Sequence, residues 1–242
     1  MSKRVFFLSS KILFLLIFLK SCSDKKFNNK HSKNDIINKH LLKDYVSKFN
    51  NSDNELYKQH IDNKNAYSFL LKNIPIIELP DKVIEEKYYF RWWTYRKHIK
   101  STSDGFVITE FLPKVYWAKK HNTINCPAAH HIYEGRWLRD PKYISEYIDF
   151  WLKNSEDGKR QYSFWIADAT LAFNKIHRND SLLFTQLHPL ISNYNEWEKI
   201  RKDNNKLLFW QWDEKDGMEF TRYKGKDLSK YTFDYKKLRK KE

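Results

Sequence analysis

The sequence predicts a mainly α-helical fold. Three observations carry that prediction. Apolar residues recur at helical spacing through much of residues 81–201, the periodic stretches begin at recognisable caps, and only two short runs read as extended. Helices joined by connections this short pack as antiparallel hairpins.

The chain opens with Lys3 and Arg4, followed by an apolar run, Ile12–Leu19, too short to span a bilayer. Leu19-Lys20-Ser21-Cys22 then resembles a bacterial lipobox, in which the cysteine becomes the lipidated first residue after cleavage. Lys20 departs from the small or apolar residue usual there. An uncleaved anchor and a plain signal peptide are the alternatives. The expectation is an exported bacterial lipoprotein, in the periplasm or at the outer membrane, held to the membrane through Cys22. Residues 23–40 are rich in Lys, Asn, Ser and Asp and read as a polar tether.

From Pro80 the pattern turns helical. Asp81 is a plausible N-cap, with Glu85 and Glu86 early and Arg96, Lys97, His98 and Lys100 late, a polarity that complements the helix dipole. Phe106–Phe111 is expected to be extended. Asp140-Pro141 reads as a cap and a first-turn proline. Tyr143, Ile144, Tyr147, Ile148, Trp151 and Leu152 then share one helix face, and Asn154–Gly158 breaks it. Tyr162–Ile176 is apolar on nearly all sides and is expected to be a buried helix. Arg178–Asp180 reads as a tight turn. Ser181–Leu187 and Pro189–Arg201 form a third helical stretch, divided at Pro189. Leu207–Trp212 is the second extended candidate.

Charge excludes one class of partner. The chain carries +15, but residues 105–220 hold 16 basic and 16 acidic side chains, so the excess lies at the two ends. All nine Trp fall between Trp92 and Trp212, in or beside that neutral part. A nucleic-acid enzyme would carry its basic surface on the folded part, so no nucleic acid is expected. With Cys22 lipidated, Cys126 has no partner for an internal disulfide, and its flanks suggest a small buried side chain.

Two connections concentrate Trp with carboxylates. One is the stretch 121–140, which holds HHIYEGRWLRD, and its residues 121–139 are expected to be irregular. The other is Phe209–Thr221, FWQWDEKDGMEFT. Trp faces stack on sugar rings, carboxylates and Arg bond hydroxyls, and paired carboxylates protonate a glycosidic oxygen and activate water. A Trp-rich core edge is the bland alternative. His131 and Glu134 form half of an H-x-x-E metal motif, but no further ligand stands at familiar spacing, so no metal is expected. No Gly-rich phosphate loop or G-x-S-x-G elbow occurs, and no cofactor is expected.

Several separate blocks, in order, resemble one family. YYFRWWTYRKHIK, GFVITEFLPKVYWA, HHIYEGRWLRDPKYI, RQYSFWIADA and LFWQWDEKDGMEF are similar to a bacterial branch of the six-hairpin glycosidases, near mannosylglycerate hydrolase, trehalase and the processing α-glucosidases. The resemblance covers residues 41–225 and leaves 226–242 as a divergent basic tail. It implies an (α/α)6 toroid and inverting hydrolysis of an α-linked glycoside. It places the general acid at Glu219, with Asp216 as the second choice or a neighbour that raises the acid's pKa. Glu at this position is one methylene longer than the Asp of trehalase-like relatives. Glu134, Arg136, Trp137, His131, Asp168, Trp210 and Gln211 become substrate-binding candidates for a carbohydrate. Asp140 bonds hydroxyls or caps the next helix, and Asp168 is a binding or structural carboxylate rather than a catalyst.

A full six-hairpin barrel needs about twelve helices of ~10–15 residues plus loops, more than the ~180 residues after the tether supply. The resemblance therefore implies the N-terminal part of the toroid, with the second carboxylate on a later loop and no turnover by the chain as given. An exported sugar-binding lipoprotein without hydrolytic activity is the alternative.

Overall fold

The computed structural model describes residues 39–154, 162–203 and 208–211. The expected export segment, Cys22, the expected tether, Asp216 and Glu219 lie outside the described residues, as does most of the expected Asn154–Gly158 break. Among the described residues there are seven α-helices and two short antiparallel strand pairs.

Two helices precede Pro80, where sequence periodicity located none. Helix α1 (Lys39–Asn51) buries Leu42, Val46 and Phe49, spaced four and three apart on one face. Helix α2 (Asn63–Asn73) starts at Asp62, whose carboxylate accepts the Asn65 N–H at 3.0 Å. Helix α3 (Lys82–His98) is capped as expected: Asp81 accepts the Val83 and Ile84 N–H groups at 2.9 and 3.1 Å. It buries Tyr89, Trp92, Trp93 and Tyr95. Its Arg96 is fully buried and donates to Gln59 Oε1 at 2.8 Å, to the Ile61 carbonyl at 2.6 Å and to Asn63 Oδ1. That guanidinium fastens the α1–α2 connection onto α3.

Strand β1 (Ile99–Thr102) pairs with β2 (Gly105–Ile108), so Lys100 sits on a strand and the extended run begins and ends earlier than Phe106–Phe111. Gly105 closes the turn at φ +98°, in the left-handed region that favours glycine. The following loop is held by Asn122, whose amide donates to the Phe111 and Pro113 carbonyls at 2.6 and 2.9 Å. Cys126 is half-buried beside a small cluster of Ala118, Ile124 and Tyr162.

Residues 121–139 were expected to be irregular, but Ala128–Gly135 form helix α4. Its buried stripe is Ala128, Ala129, Ile132 and Gly135, small residues that do not register as a hydrophobic run. A Cβ on Gly135 would come within 2.2 Å of both the Tyr95 hydroxyl and Ile144 Cδ1, so glycine lets α4 seat against α3 and the next helix. That helix, α5 (Lys142–Asp149), continues as one π-type turn, Phe150–Asn154. Ile144, Tyr147, Ile148, Trp151 and Leu152 are all buried, as the periodicity predicts. Asp140 accepts the Lys142 N–H at 3.0 Å, which makes it a cap.

Helix α6 (Ile166–His177) starts four residues later than expected and is buried on one face only. Ile166, Ala169 and Phe173 face the core, while Trp165, Leu171 and Ile176 are more than a third exposed. Arg178, at φ +49°, makes the tight turn. Helix α7 (Asp180–Arg201) then runs unbroken through Pro189, where a division was expected. Pro189 forfeits only the bond to the Thr185 carbonyl, at an exposed residue where water can replace it. Strands β3 (Lys202–Asp203) and β4 (Leu208–Phe209) turn the chain back. One hydrophobic core runs from Leu42 to Phe173, joining α1 through α6. Helices α4 and α6 pack together, and α6 and α7 make a helical hairpin, consistent with part of an α/α toroid.

Candidate functional site

An open cleft of about 480 Å³ lies where the start of α6, the second half of α7 and the residues after β4 meet. Trp165, Trp197 and Trp210 supply aromatic faces, and Asp168, Asn193 and Gln211 supply polar groups. Each is placed by its element. Trp165 is the residue before α6, and Asp168 stands in the first turn, where helix N–H groups favour a negative charge. Trp210 is held by its N–H to the Arg201 carbonyl at 2.9 Å and lies under the Arg201 guanidinium at 4.4 Å. Asn193 is buried on α7, and its side-chain carbonyl has no hydrogen-bond partner among the described residues.

Helix α4 borders the cleft. Its Tyr133 hydroxyl donates to Asp168 Oδ2, and that bond raises the phenol's pKa. The Arg136 guanidinium lies 4.5 Å from the Tyr133 ring and 5.1 Å from the Trp137 ring, which is nearly half exposed. His130 meets Trp165 edge-on at 4.6 Å. A polar and aromatic band thus continues from the cleft across α4: Trp165, His130, Asp168, Tyr133, Arg136, Trp137.

Of the residues singled out in the sequence, Asp168, Trp210 and Gln211 line the cleft. Arg136 and Trp137 do not line it: Arg136 lies over the rings of Tyr133, which bonds Asp168, and of Trp137. Glu134 and His131 do not line it. Glu134 pairs with Arg91 of α3 at 2.5 Å; burial raises its pKa, although Arg91 pulls the other way. His131 packs inward, with Nδ1 3.2 Å from the Tyr147 hydroxyl. Burial, and then the neighbouring His98, Arg91 and His130, push its pKa down to about 3, so it is neutral. Among the described residues no three His, Cys, Asp or Glu side chains come together to hold a metal. No described helix is long and apolar enough to cross a membrane.

Sequence reading did not single out Tyr133 or Asn193 as site residues. Tyr133, Arg136 and Trp137 stand three and four apart, a spacing that marks one helix face once α4 is known to be a helix. Asn193 carried no signal, because its importance comes from burial between two helices.

Residues 120–239 match the family model of the mannosylglycerate hydrolase MGH1-like glycoside hydrolase domain, a range that includes Asp216 and Glu219 and continues past Gly225. A solved structure titled "Sialidase" shares 38% sequence identity with this chain and superposes with a TM-score of 0.72. The match covers 76% of this chain and 17% of that one. The comparison with curated proteins found no match. Residues 120–239 thus resemble an MGH1-like glycoside hydrolase domain, and the helical fold is similar to that of the structure titled "Sialidase", of which this chain spans only a small part.

Proposed function

We propose that this chain serves the inverting hydrolysis of an α-linked glycoside and that the α6–α7 cleft holds the sugar. The observation that carries the reading is the meeting of Trp165, Trp197 and Trp210 with Asp168, Asn193 and Gln211 in one open cleft. Aromatic faces cover the apolar side of a pyranose, and the polar groups bond its hydroxyls. Glu219 follows Gln211 by eight residues in the sequence. Glu219 protonates the leaving oxygen, and Asp216 beside it raises the acid's pKa by like-charge repulsion. Inversion also needs a carboxylate that activates water across the ring. The family resemblance assigns that group to a later helix pair, so the described part of the chain serves binding.

The reading is tested in two steps. Binding of α-linked disaccharides, followed by Trp fluorescence, weakens roughly 10–100-fold in Asp168→Ala, the range for losing a hydrogen bond to a charged group. Unchanged binding in Asp168→Ala and in Trp210→Ala would remove the cleft from the reading. In any length of the protein that turns over an α-glycoside, Glu219→Gln lowers the rate roughly 10²–10⁴-fold, and substrates with a very good leaving group recover most of it. Full activity of Glu219→Gln would move the acid to Asp216.

We also propose export and lipidation at Cys22, supported by Lys3, Arg4, the Ile12–Leu19 run and the Leu-x-Ser-Cys ending. Metabolic labelling with a fatty acid tags the wild type and not Cys22→Ser, with Lys20 making processing partial. Equal labelling of both would refute it.

A further inference from the structure

Among the described residues, Asp168 is the one charged side chain that lines the cleft, and it stands exposed in the first turn of α6. An exposed aspartate samples several rotamers, and ordering it costs free energy when a ligand binds. Its side chain has one hydrogen bond among the described residues, accepted at Oδ2 from the Tyr133 hydroxyl of α4. The helix end that carries it has no capping side chain, because Trp165 makes no side-chain cap hydrogen bond. What holds this end of α6 is one face of α4. His130 meets Trp165 and Tyr133 meets Asp168, pairs that advance by three residues along both helices. Helix α4 is itself fixed to the core, through Gly135 seated against Tyr95 and Ile144, and through the Tyr95 hydroxyl, which donates to the His131 carbonyl at 2.8 Å.

We propose that Tyr133 is a positioning residue for the sugar site: by occupying Asp168 Oδ2 it holds the carboxylate in one rotamer and presents Oδ1 to a ligand hydroxyl. The proposal rests on the reading of the α6–α7 cleft as a sugar site and deepens it, because it sets what Asp168 recognises. Oδ1 is the oxygen left for the ligand, and it takes a donor. A neutral pyranose hydroxyl fits there, whereas an anionic group would meet the charge of the carboxylate.

The test is a double-mutant cycle on the binding of α-linked disaccharides of glucose, mannose and galactose to the full chain, followed by Trp fluorescence. Tyr133→Phe removes the hydroxyl and keeps the ring under Arg136. It is expected to weaken the tightest of these sugars roughly 3–10-fold, the net worth of one hydrogen bond, and to have no further effect in Asp168→Ala. A loss of the same size in both backgrounds would mean that Tyr133 acts on the fold or on the ligand directly, and would overturn the proposal. If the wild type binds none of the sugars, the sugar reading of the cleft falls and this inference with it. If the wild type binds and Tyr133→Phe binds equally well, the cleft stands and this inference alone falls. A second measurement needs no sugar. The bond to Asp168 raises the pKa of the Tyr133 phenol above its ordinary value. With carbon-labelled tyrosine, the Tyr133 ring resonance, identified by its loss in Tyr133→Phe, is expected to titrate at lower pH in Asp168→Asn than in the wild type. Equal titration in both overturns the proposal, whatever the sugars do.

Discussion

Helices α3 and α7 are the two longest among the described residues, and they are built in opposite ways. Over 17 residues α3 buries Tyr89, Trp92, Trp93 and Tyr95. Over 22 residues α7 buries two amides, Gln186 and Asn193, and leaves Phe184, Leu187, Ile191, Tyr194 and Ile200 exposed. The reason is what each helix meets. Helix α3 packs on α1 and α2 with large rings in a continuous core. Helix α7 meets α6 along a polar row, with the Asn174 amide 3.5 Å from Gln186 and Gln186 reaching Asp149 at 3.4 Å. Stability therefore belongs to the core that joins α1 through α6, and the contact of α7 with the outer side of α6 is left to form a cleft. A helix that spends its buried positions on amides contributes little transfer free energy, but it can present aromatic faces to a ligand.

The largest effect that would test this division is at Trp151. It is 2% exposed, at the end of α5, with Tyr147, Phe150 and Phe164 at 6.0, 5.0 and 6.2 Å between ring centroids. Trp151→Ala is expected to cost about 3–5 kcal/mol in urea denaturation. Ile200→Ala, on the open side of α7, is expected to stay within about 0.5 kcal/mol. Comparable losses at the two positions would break the comparison.

The same division explains how much could be read from sequence. The start of α3 was legible because Asp81 and the basic last turn are local signals, and the α5 stripe because five of its six apolar residues do become buried. Helix α4 was not legible: three of its four buried residues are Ala or Gly, with Ile132 the single large one, and its visible residues, His130 and Tyr133, belong to the outer face, continued past its end by Arg136 and Trp137. Helix α6 looked buried all round because composition cannot say that one neighbour would be an amide row. Helix α7 was expected to break at Pro189 because proline's cost was weighed without the solvent that relieves it. In the site, Asp168, Trp210 and Gln211 were found by residue type. Glu134 and His131 belonged to the same motif, yet the turn of α4 sends them to Arg91 and Tyr147 instead.

A smaller effect separates the two sides by pH. His131 is held neutral on the core side, its pKa lowered from 6.5 to about 3 by burial first and by nearby positive charge second. His98, bonded through Nδ1 to the Thr109 carbonyl, is lowered as well, again mainly by burial. The unfolded chain takes up protons below about pH 6.5 that the folded chain refuses, so stability falls as pH drops from there toward the folded values. Each such proton contributes at most about 1.4 kcal/mol per pH unit. Glu85 adds to the loss lower down. Burial alone would raise its pKa, but the Leu79 N–H, Lys82 and the Tyr45 hydroxyl outweigh burial and hold it below 4.5. Its contribution is present above about pH 4.5 and disappears as pH falls through the folded value. The urea midpoint should therefore decline already between pH 6.5 and 4.5, partly offset near the lower end by Glu134, whose raised pKa lets the folded chain take up that proton first. His131→Asn should make that upper part of the profile shallower, leaving the share of His98, while Glu85→Gln should act only below it. A midpoint that stays flat from pH 6.5 to 4.5 in the wild type would mean that water reaches His131, and that the α4–α5 side is no more closed than the cleft beside α7.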